Sequence, residues 1–194
     1  VALESSQLAY EGTRTRVQQA LNALKFYRRA LQVDSSVWMV SRIDREYANT
    51  GQADALFLAG DFAQAEMVYK ETMRGYPESA AARIGLANCK TRRGEELTKD
   101  ARGQGIQTEV KEARQLWEES LLLYEEAAGL YSSLVVPIHG QGACLAFLGR
   151  FEEALPFLEK SFALDPANFE FGRSLAEVQA ALFRFHFARQ TLEK

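Results

Sequence analysis

The sequence predicts an all-α chain, an α-α superhelix (solenoid) of about four to five stacked antiparallel helical hairpins. Three observations predict it. Apolar residues recur three and four apart, as in Ala65, Val68, Tyr69 and Thr72 or Ala154, Leu155, Leu158 and Phe162, which lays them along one helix face. Alternating Val, Ile and Thr runs of strand type are missing, and only four prolines interrupt the 194 residues. The third observation is a stretch that returns with its spacing intact.

Gly60-Asp61-Phe62-Ala63-Gln64-Ala65 overlays Gly149-Arg150-Phe151-Glu152-Glu153-Ala154: a glycine, an aromatic two residues later and an alanine five later. Nine past the glycine stands Tyr69 or Leu158, twelve past it Thr72 or Ser161, and seventeen past it Pro77 or Pro166. Each position has a mechanical reason. Glycine takes the left-handed conformation that closes a first helix. Alanine lets a second helix come close, and proline ends that helix before the next unit. Seven residues before the turns expected at Gly60, Gly94, Gly149 and Phe183, the residue is always small: Ala53, Ala87, Gly142 and Ala176. Helices packed about 8 Å apart leave no room there for a long side chain.

A helix–turn–helix unit with small, aromatic and proline positions in this order resembles the tetratricopeptide repeat, whose period is about 34 residues. The resemblance is carried by residues 46–79 and 135–168 and extends over 80–134 and 169–194. It implies a solenoid whose first helices line a concave face and hold another protein or peptide.

In chain order, residues 1–45 are expected to form degenerate N-terminal helices. Ala23, Tyr27 and Ala30 carry a second-helix pattern there, and Asp34-Ser35-Ser36 would cap the next helix. That helix is predicted from about Ser36 to Ala59, with Gly51 as its interruption. The first full repeat takes 46–79; the second, 80–134, opens with a helix over Ala80 to Arg93 that ends at Gly94. Gly60 and Gly149 lie 89 residues apart where two plain repeats need 68, an excess of 21. Ala113, Trp117 and Ser120 show the alanine–aromatic–small spacing 14 residues late. An insertion is therefore expected at about 95–109, read as an extended loop around Gly103 and Gly105 and partly helical in Glu95–Arg102. The other seven residues lengthen the second helix by two turns. A third repeat takes 135–168, and 169–194 reads as a truncated repeat with a turn at Phe183 and a second helix bearing Ala188 and Leu192.

Composition narrows the function. A net charge of -3 supplies no basic stripe for nucleic acid, and Asp54, Asn88, Ala143 and Glu177 do not form a base-reading set. No run is long and apolar enough to span a membrane. The start, Val1-Ala2-Leu3-Glu4-Ser5, shows no signal peptide; lacking Met, it is compatible with a processed or excised piece whose export signal has been removed. Two cysteines do not make a disulfide framework, which leans towards a reducing, cytoplasmic setting.

No catalytic, metal or cofactor set emerges. Cys89 and Cys144, each five residues before a turn glycine, read as core packing. His139 and Cys144 are five apart and fall on different faces of a helix. Neither His139 nor His186 has a second metal ligand at helical spacing. Gly140-Gln141-Gly142 and Gly103-Gln104-Gly105 follow no strand and lack the lysine of a phosphate loop. Glu118-Glu119 and Glu125-Glu126 are adjacent rather than facing, and Arg28-Arg29 and Arg92-Arg93 are isolated basic pairs.

What is left is the concave face. Positions ten, six and three before each turn are expected to line it: Thr50, Asp54 and Phe57; Ile84, Asn88 and Thr91; His139, Ala143 and Ala146; Arg173, Glu177 and Ala180. Tyr47 and Arg92 are placed in the same groove. The partner-binding set is therefore Tyr47, Asp54, Phe57, Asn88, Arg92, His139, Arg173 and Glu177, for a partner protein or peptide. Only Asn88 matches the Lys, Asn and Arg clamp that some repeats of this kind use for a C-terminal carboxylate, so that ligand class is not expected. Two further readings are a regulatory repeat domain excised from a larger enzyme and a self-assembling scaffold. Phe185 and Phe187, in an alternating aromatic stretch, are the expected association surface of a homo-oligomer.

Overall fold

The computed structural model describes residues 15, 17–29, 42–104 and 107–192, and helix dominates them. Eight helices follow one another among the described residues: α1 (17–29), α2 (Arg42–Leu58), α3 (Phe62–Gly75), α4 (Ala80–Gln104), α5 (Gln107–Leu130), α6 (Val135–Phe147), α7 (Phe151–Leu164) and α8 (Phe169–Leu192). The chain divides into two compact units, Val1–Cys89 and Lys90–Lys194, the division falling within α4.

In the first unit α2 and α3 pack as a hairpin closed at Gly60, whose φ of 85° lies in the left-handed region that glycine enters without strain. The Gly60 N–H donates to the Phe57 carbonyl at 3.0 Å and the Asp61 N–H to the Leu56 carbonyl at 3.0 Å, which occupies carbonyls the helix end would leave open. The Asp61 carboxylate then accepts from the Gln64 N–H at 3.2 Å and caps α3. In the second unit Gly149, φ 78°, turns α6 into α7 the same way: its N–H reaches the Ala146 carbonyl at 3.0 Å, and the Arg150 N–H reaches Leu145 at 2.9 Å.

The small residues of the second helices are buried. Ala65, Ala113 and Ala154 have no exposed surface, and Thr72, Ser120 and Ser161 lie inside with them. Their hydroxyls donate back to the carbonyls of Val68 (2.8 Å), Leu116 (2.8 Å) and Leu158 (3.0 Å), so burial strands no polar atom. Cys89 and Cys144 are free thiols in the interior. Around Leu145, Ala154, Leu158 and Val178 an apolar cluster joins α6, α7 and α8.

A second recurring contact was not foreseen. Tyr27 lays its ring over Gly51, Tyr69 over Gly85, and Tyr124 over Gly140; a Cβ on any of these glycines would overlap the ring. Gly51 therefore does not interrupt its helix, because α2 runs unbroken from Arg42 to Leu58 and the glycine is the seat of a tyrosine. Gly94 is a similar seat for Trp117, and the expected turn there is replaced by continuous helix to Gln104.

The insertion expected at about 95–109 as an extended loop, partly helical in Glu95–Arg102, is helix over 95–104 and again from Gln107, and Gly105 lies outside the described residues. Arg92 pairs with Glu95 at 2.8 Å, and the Thr98 hydroxyl bonds the Glu95 carbonyl at 2.9 Å, both within α4. Leu97, on this helical stretch, packs against the apolar cluster of Ala113, Trp117 and Leu148. Helix α4 has 25 residues against 13 in α6, and α5 has 24 against 14 in α7, which places the extra length in helix.

A turn at Phe183 is absent too. Helix α8 passes through it, since a residue with a Cβ lacks glycine's easy access to the left-handed turn. Ala176, equivalent by register to the buried Ala53 and Ala87, is consequently exposed.

Two glycine substitutions should separate seat from spacer. Gly129 lies in α5 with nothing near its missing Cβ, so Gly129→Ala should raise stability by roughly 0.5–1 kcal/mol through helix propensity. Gly140→Ala should instead lower it, by about 1–3 kcal/mol, because the Tyr124 ring must move. Urea unfolding of the two variants measures both signs.

Candidate functional site

Of the eight expected groove residues, four lie in each unit. In the first unit Tyr47 is 67% exposed, its ring edge-on to Tyr27 at 6.4 Å. Asp54, further along α2, accepts a short hydrogen bond from the Tyr69 hydroxyl. Loss of water around its carboxyl raises the Asp54 pKa, against the opposing pull of that hydrogen bond, although the residue keeps an open edge to solvent. Burial, and then the neighbouring carboxylate, push the Tyr69 phenol far above its ordinary value, so it stays a donor. Phe57 packs edge-on against Phe62 at 5.3 Å, closing the Gly60 turn, and Asn88 is half-buried on α4. Thr50, expected in the groove, is instead buried with its hydroxyl on the Glu46 and Tyr47 carbonyls at 3.0 Å each.

In the second unit Arg92 is exposed and held by Glu95. Thr91 is buried, its hydroxyl 3.6 Å from the Cys144 sulfur, so it packs rather than lines a groove. Burial pushes that Cys144 thiol up to about 12, which makes it inert at neutral pH.

The second unit also brings three expected residues together. The His139 ring of α6 lies 4.4 Å from the buried Phe171 ring of α8, tilted by 30°, and its Nε2 is 3.1 Å from the Ser174 hydroxyl. Beside it on α8, Arg173 pairs with Glu170 at 2.5 Å and with Glu177 at 2.8 Å. All three charged residues are exposed. Phe171, Ser174 and Glu170 were not foreseen; nothing in sequence spacing links α6 to α8 across 35 residues. A histidine beside a serine invites a nucleophilic reading, but among the described residues no carboxylate bonds the other ring nitrogen, the role a triad requires. Nor does any group of three His, Cys, Asp or Glu among them come together to hold a metal ion.

Phe185 and Phe187, the expected association surface, lie on α8 where their side chains are outside the described residues. No helix among the described residues is long and apolar enough to cross a membrane.

No family model matches the chain, and no curated protein matches it in sequence. Solved structures do match in shape. A thermophilic TPR protein of Thermus thermophilus superposes with a TM-score of 0.64 at 16% identity, over 88% of this chain and 82% of that one. The chain has the tetratricopeptide-repeat fold. Two further repeat structures share it. The first TPR of Spaghetti (RPAP3), bound to the HSP90 peptide SRMEEVD, is 19% identical with a TM-score of 0.56, over 71% of this chain and 92% of that one. The second TPR domain of human RPAP3, in complex with the HSP70 peptide SGPTIEEVD, is 18% identical with a TM-score of 0.52, over 68% and 92%.

In this repeat His139 makes the fold sensitive to acid. Burial disfavours the imidazolium and lowers its pKa below 6.5, with Glu170 opposing and Arg173 adding to the shift. The unfolded chain therefore binds the proton first, so this contribution is full above about pH 6.5 and is lost as pH falls from there towards the depressed value. Replacing His139→Gln should flatten that part of the stability–pH profile, read by urea unfolding between about pH 7 and 5.

Proposed function

We propose that the chain is a non-catalytic interaction module whose first helices hold a segment of a partner protein, either an extended peptide or a helix. The observation that carries this reading is the set on α6 and α8. There His139 is fixed by Phe171 and Ser174 beside the exposed network of Arg173, Glu170 and Glu177. Polar groups held on rigid helices lose little freedom on binding, which favours recognition. The peptide complexes of the RPAP3 repeats support the general mode.

The ligand chemistry should differ from theirs. Those peptides end in Glu-Glu-Val-Asp, whereas here one guanidinium is already matched by two carboxylates. The set suits a partner of mixed charge, with a Lys or Arg to meet Glu170 and Glu177 and an acceptor for Arg173. Taken by itself, the first unit offers Tyr47, Asp54, Phe57 and Asn88 as proposed contact residues, and Arg92 is a further one in the second unit.

Panning a displayed random-peptide library against the intact chain tests the reading. Selected peptides should bind about tenfold more weakly, or worse, to the double variant His139→Ala, Arg173→Ala, a loss of about 1.4 kcal/mol. Circular dichroism should show the same helicity. A chain that selects no peptide, or a double variant that binds as well as its parent, would contradict it.

A further inference from the structure

In the first unit Asp54 is a carboxylate whose charge is only half answered. Loss of water raises its pKa, the Tyr69 hydroxyl opposes that shift, and no lysine or arginine among the described residues acts on it. A carboxylate short of water but open at one edge is most improved by a positive charge brought to that edge.

Aromatic rings stand along the approach. The Tyr27 ring rests on Gly51, three residues before Asp54, and Tyr47 lies four residues before Gly51, so these positions share one face of α2. Tyr47 and Asp54 are about 10 Å apart along the helix axis, and the Tyr27 ring sits at the glycine between them. Tyr27 meets Tyr47 edge-on at 6.4 Å and Phe26 edge-on at 5.8 Å, and both of these outer rings are open to solvent. Burial first, then Tyr47 and the Asp54 charge, raise the Tyr27 phenol above its ordinary value, so the carboxylate is within electrostatic reach of this ring.

We propose that Asp54, Tyr27 and Tyr47 form a binding site for an arginine side chain. An open ring face attracts a cation, and the carboxylate beside it supplies the opposite charge. Guanidinium suits the place better than ammonium on two counts. It is flat and stacks on aromatic rings, and it is weakly hydrated, so it loses less on entering a site already short of water. The Tyr69 hydroxyl holds the carboxylate in position for it. That the arginine belongs to a partner segment rests on the interaction-module reading; the site itself can be tested without a peptide.

The test titrates the intact chain with N-acetyl-arginine amide and follows the tyrosine ring signals by NMR. N-acetyl-citrulline amide is the uncharged analogue and N-acetyl-lysine amide the rival cation. Tyr27 and Tyr47 signals should shift to saturation with the arginine compound, bind the lysine compound more weakly and ignore citrulline. Asp54→Asn keeps an acceptor for Tyr69 and should weaken arginine binding about tenfold with helicity unchanged. Tyr47→Ala, at an exposed position, should weaken it about threefold. No shift of these rings, a citrulline response equal to that of arginine, lysine bound as tightly, or an unaltered affinity in Asp54→Asn each overturns the proposal. Such a failure in a chain that still selects peptides removes the arginine site alone. Arginine binding by a chain that selects no peptide supports the site and contradicts only the partner segment.

Discussion

Three tyrosine rings resting on three glycines set the distance between successive helices. Tyr27 on Gly51, Tyr69 on Gly85 and Tyr124 on Gly140 repeat one contact, a ring flat enough to lie where a Cβ would stand. Close packing allows neither a void nor an overlap there, so ring and glycine are chosen together. Tyr69 is 1% exposed and Tyr124 is buried. A buried phenol needs a partner for its hydroxyl, and Asp54 is the one Tyr69 finds. The contact that spaces the helices thus also fixes a carboxylate among the proposed binding residues.

The same economy of contacts shapes the second unit. Phe162 lies near Gly172 as Tyr124 lies on Gly140, which seats α8 beside α7. That seating carries Phe171 under the His139 ring and Ser174 to its nitrogen. Trp117 on Gly94, with its indole N–H 3.4 Å from the Thr91 carbonyl, holds the long α4 to the long α5. Lys90 and Glu119 add an ion pair between these helices at 2.5 Å. Its worth is small beside the apolar contacts, since Glu119 is partly in water.

Much of this was legible in the sequence, for reasons that differ by residue. Gly60 and Gly149 could be read as turns because a left-handed residue followed by an aromatic and an alanine has few other uses. Ala53, Ala65 and Ala154 announced close approach by being small at fixed distances from those turns. Glycine has two uses in this fold, however, and the residue alone does not say which. Gly94 and Gly51 looked like breaks and are ring seats; an offset of 16 residues marks the seats of Tyr69 on Gly85 and Tyr124 on Gly140, but Tyr27 lies 24 residues from Gly51 and Trp117 lies 23 from Gly94, so that spacing does not find them. The helical register named His139, Arg173 and Glu177, which the fold gathers on α6 and α8. It could not name Phe171 and Ser174 as their supports, because those contacts join helices that sequence spacing does not relate.

The account rests on the ring–glycine seat, and a double-mutant cycle at Tyr69 and Gly85 probes it most directly. In the native background Gly85→Ala should destabilise by about 1–3 kcal/mol, since the added methyl meets a fully packed ring. Once Tyr69→Ala has removed the ring, the same change should be neutral or stabilising, as helix propensity favours alanine over glycine. Equal destabilisation by Gly85→Ala in both backgrounds would contradict the claim that this contact spaces the helices.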